Sequence, residues 1–164
     1  MLKRIALGVF AVAALSCASF AQDHPNFAGT WKLNSAKSNP GDYGPSAQTD
    51  VITQDVDKLT IKVSASTQMG DSNYTLTLTA DGNKQTIAPN SPQANMGALT
   101  LKDVTASWTG PSLTIVANSS FQEQMDIAGK DVYSLSADGK TMTIASHAST
   151  GMGDIDTTLV FDKQ

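Results

Sequence analysis

From Phe27 to Phe161, apolar and polar residues alternate with a period of two, in short runs separated by turn residues. Leu59, Ile61, Val63 and Ala65 interleave with Lys58, Thr60, Lys62 and Ser64. Tyr74, Leu76 and Leu78 repeat the pattern, as do Leu113, Ile115 and Ala117, and Ile155, Thr157, Leu159 and Phe161. Successive side chains of a strand point to opposite faces, so this spacing predicts strands with one buried face and one wet face. No run of useful length carries a helical spacing, and the many threonines, valines and isoleucines suit a pleated surface. Asp55–Lys58, Ala80–Asn83, Thr109–Ser112 and Ala137–Lys140 read as tight hairpin turns. Counting between turns gives about ten strands in an all-β, antiparallel, up-and-down meander without a long crossover.

The chain also repeats itself. Leu59–Thr79 and Met142–Asp162 agree at ten of twenty-one positions, including Ala65-Ser66-Thr67 against Ala148-Ser149-Thr150 and Met69-Gly70-Asp71 against Met152-Gly153-Asp154. A hairpin unit used more than once favours strands that close into a barrel and so remove their edges. Two packed sheets would satisfy the same pattern. In a meander every second connection lies at the same end. The turns at Asp55, Asp81, Gly110 and Asp138 are therefore expected at one end. The longer connections at Asn39–Pro45, Met69, Pro92–Met96, Met125 and Met152 are expected at the other, where function more often sits.

The first 21 residues read differently. Lys3 and Arg4 precede an apolar run, Ile5–Leu15, and Ser19-Phe20-Ala21 is a small-x-small cleavage signal. This predicts a secretory leader over residues 1–21 and a mature domain over 22–164, periplasmic or secreted. The apolar run is too short for a permanent membrane span, and no transmembrane helix is expected in the mature chain. Cys17, the single cysteine, raises the alternative of a lipid anchor, although Ala14-Leu15-Ser16 fits such a site poorly. Cleavage after Ala21 leaves nine lysines against fifteen acidic residues, a formal charge of −6, and no arginine. That balance argues against nucleic acid as a partner.

Phe27-Ala28-Gly29-Thr30-Trp31-Lys32-Leu33 resembles the opening strand of the calycins, the lipocalins and intracellular fatty-acid-binding proteins, whose motif is Gly-x-Trp. With Asn34 and Ala36-Lys37-Ser38 it is more narrowly similar to a group of secreted bacterial lipocalin-like proteins. The resemblance implies a barrel with a binding interior. Two departures stand out. Lipocalins commonly pack a late-strand arginine over the motif tryptophan, and none exists here. Fatty-acid-binding proteins place two lid helices after the first strand, where this chain has Pro40, Gly41, Gly44 and Pro45.

Alternation assigns large residues to the interior near the turn end: Trp31, Leu59, Ile61, Leu78, Leu113, Ile115, Met142, Ile144 and Phe161. Toward the looped end the inward residues shrink or become polar: Val63, Ala65 and Thr67, Ala117 and Ser119, Ser146 and Ala148, and Thr157. This predicts a cavity at the open end. Tyr74 and Phe121 are expected to help line it, with Met69, Met96, Met125 and Met152 closing over an apolar or amphipathic ligand. The hydroxyls of Thr67, Ser119, Ser146 and Thr157 would meet a polar group. With no arginine or inward lysine, neutral or hydroxylated ligands are expected over free carboxylates. The competing reading is a filled barrel that acts as a structural or partner-binding envelope domain.

Other chemistry finds little footing. Copper(I) capture would want closer methionine spacing. Asp42, Asp71, Asp126, Asp154 and Asp156 gather at the looped end, but no loop shows a full calcium ligand series. His24 is expected in a frayed terminus and His147 on the outer face, and no serine sits in a nucleophile motif. The sequence thus predicts no catalytic residues, no metal site and no cofactor.

Overall fold

The structure, a computed structural model, describes residues 24–164. The expected leader over 1–21, its cleavage site and Cys17 lie outside the described residues. No helix among the described residues is long and apolar enough to cross a membrane.

Eleven strands follow one another: β1 (Gly29–Leu33), β2 (Ala47–Asp55), β3 (Lys58–Thr67), β4 (Gly70–Thr79), β5 (Asp81–Thr86), β6 (Asn95–Met96), β7 (Leu99–Thr109), β8 (Ser112–Phe121), β9 (Met125–Leu135), β10 (Thr141–Thr150) and β11 (Gly153–Lys163). All pairings are antiparallel, in the order β4-β3-β2-β1-β11-β10-β9-β8-β7-β5, with the two-residue β6 on β7. The first and last strands pair, Trp31 opposite Lys163 and Leu33 opposite Phe161, which curls the meander into a nearly closed barrel. Between β1 and β2 the chain forms turns and one bridge, Asn39 to Thr158, and no helix.

The expected hairpin at Ala80–Asn83 is not one. β4 and β5 share no ladder, and β5 pairs with β7 instead, with a register shift between Asp81 and Lys84. The sequence of β5, Asp-Gly-Asn-Lys-Gln-Thr, offers no inward apolar residue to hold it against β4. Side chains serve the open seam. The Gln85 side chain donates to the Thr79 carbonyl at 3.1 Å and accepts from the Thr79 N–H at 3.3 Å. Gln93 donates to the Thr77 carbonyl at 2.9 Å. Higher up, Gly97 lies so close to Ser72 that a Cβ there would stand 2.6 Å from the serine Oγ. These contacts satisfy backbone groups that an exposed strand edge would leave free.

The packed core fills the turn end. Trp31, Phe27, Phe161, Leu59, Leu113 and Met142 are completely buried. The segment before β1 seals this end: the Phe27 N–H donates to Gln54 Oε1, and Trp31 Nε1 donates to the Phe27 carbonyl at 2.8 Å. His24, expected to fray, instead stacks on Trp108 at 4.3 Å between ring centroids and 6° between planes. The stacked rings attract one another, while His24 Nδ1 is left buried without a hydrogen-bond partner. Trp108 in turn donates to Asp57 in the β2–β3 turn.

That turn holds a strained residue. Val56 has φ +52° and is exposed. A β-branched side chain is disfavoured there and nothing packs on it to compensate. Val56→Asn is therefore expected to stabilise the fold by up to about 1 kcal/mol, read as a raised urea midpoint with unchanged slope.

Candidate ligand-binding site

Two hollows open at the looped end. The larger, about 700 Å3, runs along the inner wall of β3 and β4, past Val63, Ala65, Thr67 and Tyr74, and under Met96 to Leu99. The second, about 530 Å3, is lined almost wholly by apolar groups, among them Phe121, Met125, Ile127, Met152 and Ile155. Tyr43, Met69, Ala98 and Leu99 border both, so the two form one divided mouth. Below them a void of about 60 Å3 is enclosed by Val63, Tyr74, Met96, Ala117, Asp131 and Tyr133 with neighbouring aliphatic side chains.

Of the fourteen residues expected from the sequence, ten border these spaces, and Ser119, Ser146, Ala148 and Thr157 border none of them. Val63, Ala65, Thr67, Met69, Tyr74 and Met96 border the larger hollow. Phe121, Met125 and Met152 border the second, together with Met69, and Ala117 faces the inner void. Ser119 is buried, opposite Ile127 on β9. Ser146, Ala148 and Thr157 are half-buried on the same inward register of β10 and β11, Ser146 opposite Thr157 and Ala148 opposite Ile155.

The internal repeat explains the rim. Thr67 Oγ1 donates to the Gly70 carbonyl and accepts from the Met69 N–H; Thr150 Oγ1 does the same with Gly153 and Met152. Ser66 donates to Asp71 and Ser149 to Asp154, both at 2.8 Å. Gly70 and Gly153 both take positive φ, +110° and +127°, which closes the turn at little steric cost. The repeated residues thus build the same turn twice and present an exposed methionine at each tip. His147 lies on the outer face, paired with Asp156 at 2.8 Å, and that carboxylate pushes the imidazole pKa up.

The sequence reading missed a polar layer between core and mouth. Asp50 faces inward beside Val63 in register, and Asp131 faces inward between Ile115 and Ser146. Asp50 is 1% exposed, and Gln48 Nε2 donates to it at 2.8 Å. Burial pushes its pKa up to about 6, with the Gln48 hydrogen bond opposing. Burial also pushes Asp131 up, against a Ser146 hydrogen bond. Desolvation and these two carboxyls push both Tyr74 and Tyr133 up. The signal was present for Asp131, which shares the parity of Tyr133 and Leu135. For Asp50 it was hidden, because Val51 and Ile52 leave the phase of β2 open.

No protein-family profile matches the chain, and no curated protein sequence matches it. Among solved structures it is similar to zebrafish ileal bile acid-binding protein in complex with cholic acid. The TM-score is 0.51 at 14% identity, over 84% of this chain and 98% of the zebrafish chain. The two share a nearly closed antiparallel β-barrel fold. Within that fold Lys163 lies over the Trp31 ring, 5.0 Å from its centroid, so a lysine covers the motif tryptophan where the resemblance implied an arginine.

Proposed function

We propose that this chain is an exported, non-catalytic barrel that takes up a small apolar or amphipathic molecule through its looped end, in the periplasm or outside the cell. The observation that carries the reading is the divided mouth: an apolar hollow of about 530 Å3 joined to one of about 700 Å3, above a fully packed lower core. Such volumes suit small-molecule ligands. The fold neighbour is itself a bile acid-binding protein, which supports the same use of the interior. Export rests on the leader pattern of residues 1–21.

Uptake would be driven by burial of the ligand's apolar part against Val63, Ala65 and Met96, with Met69 and Met152 adapting to its shape. The test is the double variant Ala65→Phe/Ala148→Phe, assayed by fluorescence of N-phenyl-1-naphthylamine, a neutral apolar probe. Both alanines are half-buried on the inward register, and Ala65 borders the larger hollow. The variant is expected to weaken probe binding at least tenfold and to change unfolding free energy by less than about 1 kcal/mol. Wild-type protein that binds no probe, together with a variant destabilised by about 1–3 kcal/mol, would establish the filled barrel instead.

A further inference from the structure

The inner void is deeper than the mouth and opens toward it past Val63, Tyr74 and Met96, which border both. In an otherwise apolar lining it gathers one carboxyl, Asp131, and two phenols, Tyr74 and Tyr133. Tyr133 is only 8% exposed, and Tyr74 is half-buried beside it on the wall of the void. Asp50 adds a second carboxyl close enough to act on both phenols.

Among the described residues, no positive charge lines the void. Facing Asp131 are Ser146 from β10 and Ile115 from β8, with Asp50 from β2 and Tyr74 from β4 contributing across the barrel and Tyr133 two residues along β9. Among the described residues, no lysine borders the void or the larger hollow. Lys163 lies over Trp31, the residue opposite Asp50 in register, and borders neither space. Buried carboxylates are ordinarily paired.

We propose that the inner void is a head-group site for a primary ammonium, so that the ligand is an amphipathic amine with its nitrogen between Asp131, Tyr74 and Tyr133 and its apolar part in the mouth. This rests on the mouth being a binding site, as proposed above. The void holds about two waters' worth of liquid volume, room for a –CH2–NH3+ end. An ammonium has three donors, matched here by one carboxylate and two phenol oxygens, and the phenol rings attract it further. Exposed Asp42, Asp71 and Asp154 at the rim draw cations toward the opening, while Asp126 is paired with Lys102. The same charges repel a fatty acid.

The experiment compares 1-aminodecane, 1-decanol and decanoate as competitors of N-phenyl-1-naphthylamine at pH 7.5 and pH 4.5. The amine is expected to bind at least tenfold tighter than the alcohol at pH 7.5, with decanoate weakest. Asp50, pushed up to about 6, is protonated at pH 4.5, and burial shifts Asp131 in the same direction, so that preference should shrink toward about twofold there, since the amine stays charged throughout. Asp131→Asn should shrink it likewise at pH 7.5, with an unchanged circular dichroism spectrum showing that the variant is folded. The wild-type pH comparison stands without any variant. Equal affinity for amine and alcohol at pH 7.5 would overturn the ammonium site and leave the binding barrel standing, its void holding water. Failure of all three competitors and of the probe would overturn the binding barrel and this inference with it.

Discussion

Trp31→Ala is expected to cost the fold about 3–5 kcal/mol, the loss typical of a fully buried large aromatic. Trp31 is completely buried at the junction where the barrel closes, opposite Asp50 on β2 and Lys163 on β11. Three contributions vanish together. The packed indole volume is lost, the Phe27 carbonyl loses the Nε1 donor at 2.8 Å, and Lys163 loses the ring beneath it. The cavity would open directly beside the Asp50 carboxyl and admit water to the lower core. Trp31→Phe keeps much of the volume but not the donor, and about 1–3 kcal/mol of loss is expected from the buried carbonyl left unpaired. Urea denaturation of the three proteins measures both steps. Equal stability of wild type and Trp31→Ala would mean that the first and last strands do not close the barrel around this side chain.

Stability is expected to fall as pH rises from about 4 to about 6. The direction follows from Asp50. Its folded pKa, about 6, stands above the unfolded 3.8, so the folded protein holds the proton more tightly. The contribution is fully present below the unfolded value and is lost as pH climbs through the folded one. Two pKa units correspond to on the order of 3 kcal/mol. Asp131, raised in the same sense, adds to the slope. Asp81, Asp103, Asp138 and Asp162 are lowered, chiefly by hydrogen bonds, and act oppositely, but they weaken the fold only as pH falls below their unfolded values. They are also solvent-exposed or held by surface partners, where such effects are small. Asp50→Asn should flatten most of the decline between pH 4 and pH 6 in urea midpoints. A wild-type midpoint that instead rises over that interval would show that Asp50 is hydrated or paired.

Much of this architecture is written in period-two alternation, because one buried face and a turn every ten residues or so leave a meander few alternatives. The repeat went further. Identical Ala-Ser-Thr and Met-Gly-Asp segments yield identical threonine-anchored turns, at Thr67–Gly70 and Thr150–Gly153. The seam was illegible for a physical reason. Asp81-Gly82 carries the local signature of a hairpin, but pairing needs an apolar face as well as a turn, and β5 has none. The polar layer was half legible. Charged residues were read as outward by default, yet parity places Asp131 with Tyr133, and only the three-dimensional register places Asp50 against Val63. A β-bulge on β7 between Leu101 and Asp103 shifts the inward set there from Leu101 to Val104, which alternation alone does not anticipate.

The most direct test of the binding barrel is native mass spectrometry of the protein released gently from its producing cells, followed by solvent extraction of whatever departs with collisional activation. A protein mass beginning at Gln22, with a stoichiometric small organic molecule attached, is the result this account predicts; an amine among the extracts would name its head group. A bare chain, unchanged after incubation with mixed lipids and with 1-aminodecane, would contradict it.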